Sequence, residues 1–332
     1  MWIYLRVSVK NSIIKNRFML KYLVVILSDN SVSYCHYQNT DKSKMIGLDA
    51  LRKGILFAMK NDLRIQYILP CNDLPEEYHK LIDSMFHDSI GPLEQMRISD
   101  VVVINGFNIL KSSENSFDSG KRYILRTDIQ SFMENYENLK ELFANDININ
   151  IVFTDAESFT DEKIISYRNA LADLALSIKD AILTGHNINT NLLTDRIALD
   201  EMNNCGAGDT SITLAPDGRF YPCPAFYYSQ IQFGEIGNVE DGLDIKNHKL
   251  YTLEGSPLCK RCDAYHCKRC VWLNKCLTCE VNVPSRQQCV MAHIERNVSR
   301  NLLDEFHKLD LLNEKEIVSI NYLDPFDVYQ EI

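Results

Sequence analysis

No apolar run in this sequence is long enough to cross a membrane or to form the hydrophobic segment of an export signal. Positive charges at Arg6, Lys10, Lys15 and Arg17 interrupt the first 18 residues, and the apolar run at residues 22–27 is too short for either role. Disulfide frameworks belong to small exported domains, whereas this chain has 332 residues. We therefore expect a soluble, cytoplasmic protein whose cysteines are reduced thiols.

Several motifs of nucleotide-binding and hydrolytic proteins are also missing. The sequence contains no Walker loop, no dinucleotide-binding glycine fingerprint and no nucleophile elbow. Its net charge of −10 and its pI near 5.3 would repel nucleic acid and anionic membranes. We therefore expect neither nucleic acid nor a membrane among its partners.

Cysteine, by contrast, is concentrated in one part of the chain. Of the eleven cysteines, nine fall between Cys205 and Cys289, and six of these form three CxxC pairs. CxxC spacing lets two thiolates bind one metal centre from a single tight turn. We predict that all nine bind metal: Cys205, Cys223, Cys259, Cys262, Cys267, Cys270, Cys276, Cys279 and Cys289.

Iron–sulfur clusters and zinc are the two alternatives for this region. Two Cys₄ zinc sites would use eight thiolates, and CxxC knuckles are typical of zinc ribbons. Zinc ribbons usually separate their knuckles by a dozen or more residues, whereas only residues 263–266 separate the first two pairs here. The close spacing favours iron–sulfur clusters, with zinc as the alternative.

Other side chains near the cysteines are expected to support a metal centre. Basic residues would offset thiolate charge, with a nucleic-acid contact as the alternative, and aromatic residues would limit water access, with a peptide-binding groove as the alternative. His266 lies between two CxxC pairs and is expected outside the ligand set. The basic residues are Lys260, Arg261, Lys268, Arg269, Lys275 and Arg286, and the aromatic residues are Phe220, Tyr221, Phe226, Tyr227, Tyr228 and Phe233.

The chain between residues 21 and 187 alternates short β-branched runs with amphipathic helical segments, which predicts an α/β domain with a parallel sheet, open or partly closed. We leave residues 90–121 unassigned apart from one strand. The helical spacing covers 48–59, 132–143 and 164–178. The predicted strands are 22–27, 65–69, 101–104, 123–125 and 147–153.

The pattern changes near Met202, where turns become frequent and long apolar periodicity stops. Residues 215–218 predict a hairpin in which Gly218 takes a positive φ. So small a core would be marginal alone, and bound metal would supply much of its folding energy. A helical pattern returns at 289–312. The domain boundaries are therefore an N-terminal extension at 1–18, a barrel at 19–200, a cysteine-rich domain at 201–312 and a tail at 313–332.

The order of the cysteines resembles that of the SPASM domain, which extends radical S-adenosylmethionine (AdoMet) peptide-maturing enzymes and carries auxiliary [4Fe-4S] clusters. The chain departs from that pattern by one residue between Cys276 and Cys279 and by an extra pair, Cys259/Cys262. The resemblance implies two clusters. The first would use Cys205, Cys223, Cys279 and either Cys259 or Cys262, and the second Cys267, Cys270, Cys276 and Cys289, which leaves one cysteine spare.

The same resemblance implies that the α/β region is a partial (β/α) barrel of radical-SAM type, whose first strand should end in CxxxCxxC. The three ligand positions hold Ser31, Cys35 and Gln38 instead, and Pro70-Cys71-Asn72-Asp73 replaces the expected Gly-Gly-Glu-Pro turn. One thiolate cannot hold a cluster with an open iron, so AdoMet cleavage is not expected. Cys35 and Cys71 are predicted to be ordinary buried residues, and a residual metal or redox pair is the alternative.

This combination resembles the CXXX repeat peptide maturase family, radical-SAM-like proteins encoded beside small peptides with cysteine at every fourth position. The resemblance is carried by residues 204–208, 214–218 and 262–274. It implies a protein that acts on or beside a cysteine-rich precursor peptide, together with a partner maturation enzyme or an electron donor. The alternatives are a non-catalytic recognition or scaffold protein with structural metal, and an unrelated zinc protein.

Overall fold

The computed structural model describes residues 20–111, 117–229 and 234–309. The predicted extension at 1–18 and the predicted tail at 313–332 lie outside these ranges, as does Phe233. Within them, no helix combines the length and the apolar character needed to span a membrane.

One eight-stranded sheet forms the centre of the described structure. Its strand order is β6-β5-β4-β3-β2-β1-β7-β8, and all neighbours are parallel except β7 and β8. A single sequential sweep from β1 to β6 is the arrangement of a partial barrel. The strands are β1 (Tyr22–Ile26), β2 (Arg64–Ile68), β3 (His87–Pro92), β4 (Val101–Asn105), β5 (Arg122–Thr127), β6 (Asn148–Phe153), β7 (Ser211–Leu214) and β8 (Phe220–Tyr221).

Helices surround this sheet, and a two-stranded ribbon lies beside its last strand. The helices are α1 (Leu48–Asn61), α2 (Glu76–Ile82), α3 (Ile129–Asn135), α4 (Asn138–Phe143), α5 (Ile164–Leu183), α6 (Thr194–Ala198), α7 (Pro224–Tyr228), α8 (Val271–Thr278) and α9 (Arg286–Lys308), and the ribbon pairs β9 (Gly237–Asn238) with β10 (Gly242–Leu243).

Strand β1 is buried on both faces. Leu23 and Val25 pack in the core beneath α1, whereas Val24 and Ile26 belong to a second core that includes Tyr221 from the cysteine-rich region. Alternation along a strand sends neighbouring side chains to opposite faces. The interior face of the partial barrel is therefore covered by residues that follow position 200.

The five predicted strands and the helices at 48–59 and 164–178 are confirmed. The predicted helix at 132–143 is two short helices, α3 and α4. Strand β3 was not predicted, because its sequence, HDSIGP, carries turn-forming residues. Gly91 fits there because a Cβ would come within 2.2 Å of Ser99 Oγ, and buried Ser89 is satisfied by Asp100, whose carboxylate accepts from the Ser89 hydroxyl at 2.8 Å.

The hairpin at 215–218 joins β7 to β8, and Gly218 has a φ of 80°, as predicted. Helix α9 extends far beyond the cysteine-rich region. Its residues Val298, Leu302 and Phe306 share one core with barrel residues such as Tyr167. The closing helix therefore belongs to the barrel core as well as to the region that precedes it.

Candidate metal centres

Four thiols from four separate segments converge on the interior face of the sheet. Cys35, Cys205, Cys223 and Cys270, hereafter the Cys35 group, interact electrostatically in all six of their pairings. Burial, reinforced by the Cys205 thiolate, raises the pKa of Cys35 to about 12, and burial also raises the pKa values of Cys223 and Cys270. Thiolates crowded in this way need a shared cation to ionise at neutral pH.

Buried Arg126, at the end of β5, holds the loop that carries Cys35. Its Nε donates to the Cys35 carbonyl at 2.9 Å and its Nη2 donates to the Tyr37 carbonyl at 2.7 Å. His36 Nδ1 lies 2.7 Å from the Phe153 carbonyl at the end of β6. The loop after β1 thus crosses to the opposite strands of the partial barrel.

Tight turns and helix starts present the other three thiols. Gly206, with a φ of 72°, makes the turn between Cys205 and β7, and its carbonyl accepts from Ser211 N at 2.9 Å. Cys223 precedes the first residue of α7. Cys270 caps α8, where its Sγ accepts from Leu273 N at 3.4 Å. Such N–H···S contacts stabilise thiolate ligands.

Aromatic rings pack beside part of the Cys35 group. Tyr37 and Tyr228 stack with their centroids 5.0 Å apart, and the Tyr227 hydroxyl donates to Asp29 at 2.5 Å. Tyr34 and Cys223 belong to the same hydrophobic cluster as Tyr221 and Trp272. These contacts favour the predicted jacket around Cys223 and the loop that carries Cys35, whereas Cys205 is exposed.

A second set of side chains, hereafter the His293 group, consists of Cys259, Cys262, Cys267 and His293. Cys262 Sγ lies 3.5 Å from His293 Nε2. Two ligands of one tetrahedral zinc, at about 2.3 Å for sulfur and 2.05 Å for nitrogen, would be about 3.6 Å apart. Burial raises the pKa of Cys267 to about 12, and the Cys259 and Cys262 thiolates also raise it. No sequence pattern singled out His293, which lies 31 residues from Cys262.

Arg269 lies in the sequence between a cysteine of the His293 group and a cysteine of the Cys35 group. It lies between Cys267 and Cys270 with a φ of 46°, and its guanidinium is buried, donating to Ser256 Oγ at 2.7 Å and to the Tyr251 carbonyl at 2.5 Å. Burial raises the pKa of Cys259 to about 11, and Arg269 lowers it. One member of the basic set therefore offsets thiolate charge, as predicted for that set.

Charged side chains are buried directly beside the His293 group. Asp263 is fully buried and contacts three guanidiniums: Arg296 Nη1 at 2.9 Å, Arg196 Nη2 at 3.8 Å, and that of Arg300. Arg196 also lies 4.4 Å above the Tyr265 ring. Asp263 therefore pairs with three guanidiniums, of which those of Arg196 and Arg296 are buried.

His266 takes part in a different buried chain. Its Nε2 lies 2.9 Å from Glu295 Oε2, and the Tyr167 hydroxyl donates to Glu295 Oε1 at 2.6 Å. His266 Nε2 therefore contacts a carboxylate of α9, and the place of His266 outside the ligand set stays a prediction.

The two groups as defined leave out Cys71, Cys276, Cys279 and Cys289. Cys276 is exposed on α8, Cys279 is exposed at the C-cap of α8, and Cys289 is half-buried in the first turn of α9. None of the eleven cysteines forms a disulfide. Cys71 is exposed, so the prediction that it is buried is wrong.

As the side chains stand, no three His, Cys, Asp or Glu residues of the described ranges are arranged to hold a metal ion. A multi-iron cluster spaces its thiolates more widely than one tetrahedral ion does. The donor set of the Cys35 group therefore fits a cluster, whereas the separation of Cys262 and His293 fits a single ion.

The end of β1 does not fit the AdoMet-cleaving cluster that the resemblance implies there. Ser31 is fully buried, and its hydroxyl donates to the Ile68 carbonyl at 2.9 Å. The Gln38 side chain is exposed and donates to Asn39. With Cys35 among the C-terminal thiols, the three positions do not form one ligand set.

A polar cavity of about 300 Å³ opens at the carboxyl ends of β4, β5 and β6. Parallel α/β sheets commonly bind ligands at this edge. Asn105, Arg126 and Asp128 line it, and the Arg126 Nη1 donates to Asn105 Oδ1 at 2.9 Å. Since Arg126 also holds the Cys35 loop, the cavity and the Cys35 group share one side chain.

No protein-family model and no curated protein matches this sequence. Among solved structures, hexahistidine-tagged anSMEcpe with bound AdoMet is similar at a TM-score of 0.56 and 14% identity, over 86% of this chain and 98% of that one. The crystal structure of Streptococcus suis SuiB bound to precursor peptide SuiA has a TM-score of 0.41 and 13% identity, over 72% of this chain and 66% of that one, which is too low to support a statement about this chain. The predicted fold class, a mixed α/β partial barrel of radical-SAM type, is confirmed, with most cysteines in the C-terminal region.

Proposed function

We propose that this chain is a radical-SAM-like peptide maturation protein that acts on or beside a cysteine-rich precursor peptide and does not itself cleave AdoMet. The observation that carries the proposal is the convergence of thiols on the interior face of a radical-SAM-type barrel. The shared fold with anSMEcpe supports it, together with the SPASM-like order of the cysteines. The protein works in the cytoplasm.

Iron–sulfur clusters held by the cysteines between Cys205 and Cys289 would transfer electrons or bind a substrate thiol at iron. The chain itself would orient the peptide and exclude water. The Tyr37 and Tyr228 rings stack beside the loop that carries Cys35, and Arg126 brings its positive charge to the wall of the polar cavity, while its Nε, Nη1 and Nη2 donate within the chain. A peptide carboxylate matches this charge. A partner maturation enzyme or an electron donor would supply the electrons.

The first test uses anaerobically purified, reconstituted protein and a synthetic peptide with cysteine at every fourth position. We expect the peptide to bind and its mass to change when the partner is present, whereas the same peptide with serine at those positions should bind at least about tenfold more weakly, a loss of about 1.4 kcal/mol. Equal binding of both peptides would refute recognition of cysteine. Production of 5′-deoxyadenosine above background by the reduced chain alone would refute the loss of AdoMet cleavage.

A second candidate is a non-catalytic scaffold with structural metal. The separation of 3.5 Å between Cys262 Sγ and His293 Nε2 favours it, because that is the spacing of two zinc ligands. Metal and sulfide analysis separates the candidates. Two four-iron clusters require about eight iron and eight sulfide per chain, and redox titration must show that they are reducible within the cellular range. Zinc without sulfide would support the scaffold and exclude electron transfer.

A further inference from the structure

The Cys35 group contains a residue that the SPASM-like pattern does not assign to metal. We propose that Cys35, from the barrel, is the fourth thiolate of a metal centre that Cys205, Cys223 and Cys270 form from the C-terminal region. The centre would join the loop after β1 to the cysteine-rich region across the interior face of the sheet. This inference rests on the metal binding assumed in the proposed function, but not on peptide chemistry.

The geometry of α8 favours Cys270 over Cys279 for this centre. The two cysteines flank the eight-residue helix, Cys270 at its N-cap and Cys279 at its C-cap, so their backbones are about 13.5 Å apart. Cys270 interacts electrostatically with each of the other three thiols of the group. Cys279 lies at the other end of the helix, and this distance rather than its exposure excludes it, since Cys205 is exposed as well. It would reach the same centre only if α8 moved or unwound.

Packing and hydrogen bonds hold Cys35 near its three partners. Tyr34, the residue before it, packs in the same hydrophobic cluster as Cys223 and as Val271, the residue after Cys270. The Cys35 carbonyl accepts from Arg126, which is itself buried. Cys71, the other barrel cysteine, is exposed and takes no part in these contacts. The two barrel cysteines thus form a matched pair, one inside the group and one outside it.

The ligand chemistry follows from the donors. Four thiolates select soft metal, and four cysteine ligands are the usual set for an iron–sulfur cluster. The centre would have no open protein-ligand position, since all four corners would be thiolate-bound. Such a saturated cluster suits electron transfer, whereas binding of a substrate thiol would require another site.

Thiol labelling of the wild-type chain tests the assignment without any substitution. The protein is purified anaerobically, reconstituted with iron and sulfide or with zinc, and alkylated with iodoacetamide before and after a chelator removes the metal. We expect Cys35, like Cys205, to be alkylated at least about tenfold more slowly when metal is bound, because ligated thiolates are not nucleophilic. Cys71 should be alkylated equally in both states. The proposal would be overturned if the ratio of the alkylation rates of metal-bound and metal-free protein were the same for Cys35 and Cys71. It would also be overturned if the protein bound neither metal.

Variants provide a second, independent readout. We expect Cys35→Ser to lose about four iron per chain or to change the electron paramagnetic resonance spectrum of one cluster. Cys270→Ser should change the same signal, whereas Cys71→Ser and Cys279→Ser should leave it unchanged. A Cys35→Ser spectrum and iron content identical to wild type would refute the assignment. If Cys35 is protected by metal but no peptide is bound or modified, the proposed function fails and this centre stands.

Discussion

Replacement of Asp263 by asparagine removes the carboxylate that pairs with the buried guanidiniums of Arg196 and Arg296 and with the half-buried one of Arg300, while preserving the shape of the side chain. Asp263 and Arg196 are 0% and 3% exposed, so neither charge is screened by water. Burial lowers the pKa of Arg196 and Asp263 opposes that shift, which shows that the carboxylate compensates the buried cation. Breaking a buried ion pair by removing one partner costs about 3–5 kcal/mol.

This cost translates into a measurable change in melting temperature. An unfolding entropy of about 2.1 cal/mol/K per residue, taken over 332 residues, converts about 3–5 kcal/mol into a decrease of about 4–7 °C. Circular dichroism on metal-loaded protein, with metal content measured in parallel, gives the value. Asp161→Asn is the matched control. It breaks an exposed pair with Arg286 whose atoms are 2.7 Å apart, and should change stability by less than about 1 kcal/mol. Equal melting temperatures for the two variants would refute the argument that Asp263 compensates buried charge.

Three further predictions concern the two thiol groups and the cavity. His293→Ala should reduce metal bound by the His293 group, measured by elemental analysis, and should leave the spectrum of the Cys35 group unchanged; an unchanged metal content would contradict the ligand role. Arg126→Lys should increase hydrogen exchange in residues 32–39, measured by mass spectrometry, because the loop loses a guanidinium that bonds two of its carbonyls; equal exchange would contradict it. Asp128 caps α3, and although burial opposes it, hydrogen bonds from Ser131 hold the pKa of Asp128 below its usual value. Its contribution is therefore complete above the unfolded pKa of about 3.9 and lost as the pH falls through the folded pKa, so Asp128→Ala should cost about 1 kcal/mol in urea titrations at pH 7 and progressively less as the pH is lowered below about 3.9.

The barrel strands could be predicted because their apolar runs are short, β-branched and bounded by turns. Strand β3 could not be predicted, because Gly91 and Ser89 are buried against Ser99 and Asp100. No local sequence pattern shows these contacts. The break between α3 and α4 could not be predicted either. The apolar spacing continues through it, and only the backbone shows two helices.

The candidate site could also be predicted only in part from the sequence. CxxC spacing identified the cysteine-rich region, because ligands on one turn are close in sequence. The grouping of those thiols was beyond such reasoning, since Cys35 and Cys205 are 170 positions apart and meet only after β7 pairs with β1. His293 was missed because its distance from Cys262 depends on how α9 packs against the segment that carries Cys262. The allocation of cysteines to two clusters implied by the resemblance stays a prediction.

Helix α9 also makes the two halves of the chain thermodynamically dependent on each other. One end of it carries His293 and Arg296 into the cysteine-rich region, and the other places Leu302 and Phe306 in the barrel core. Metal that binds only the folded state adds stability in proportion to the logarithm of its free concentration, and α9 transmits that stability to the barrel. A cell short of the metal would therefore hold less of the whole protein, and the barrel's own resistance to proteolysis would report how much metal is bound.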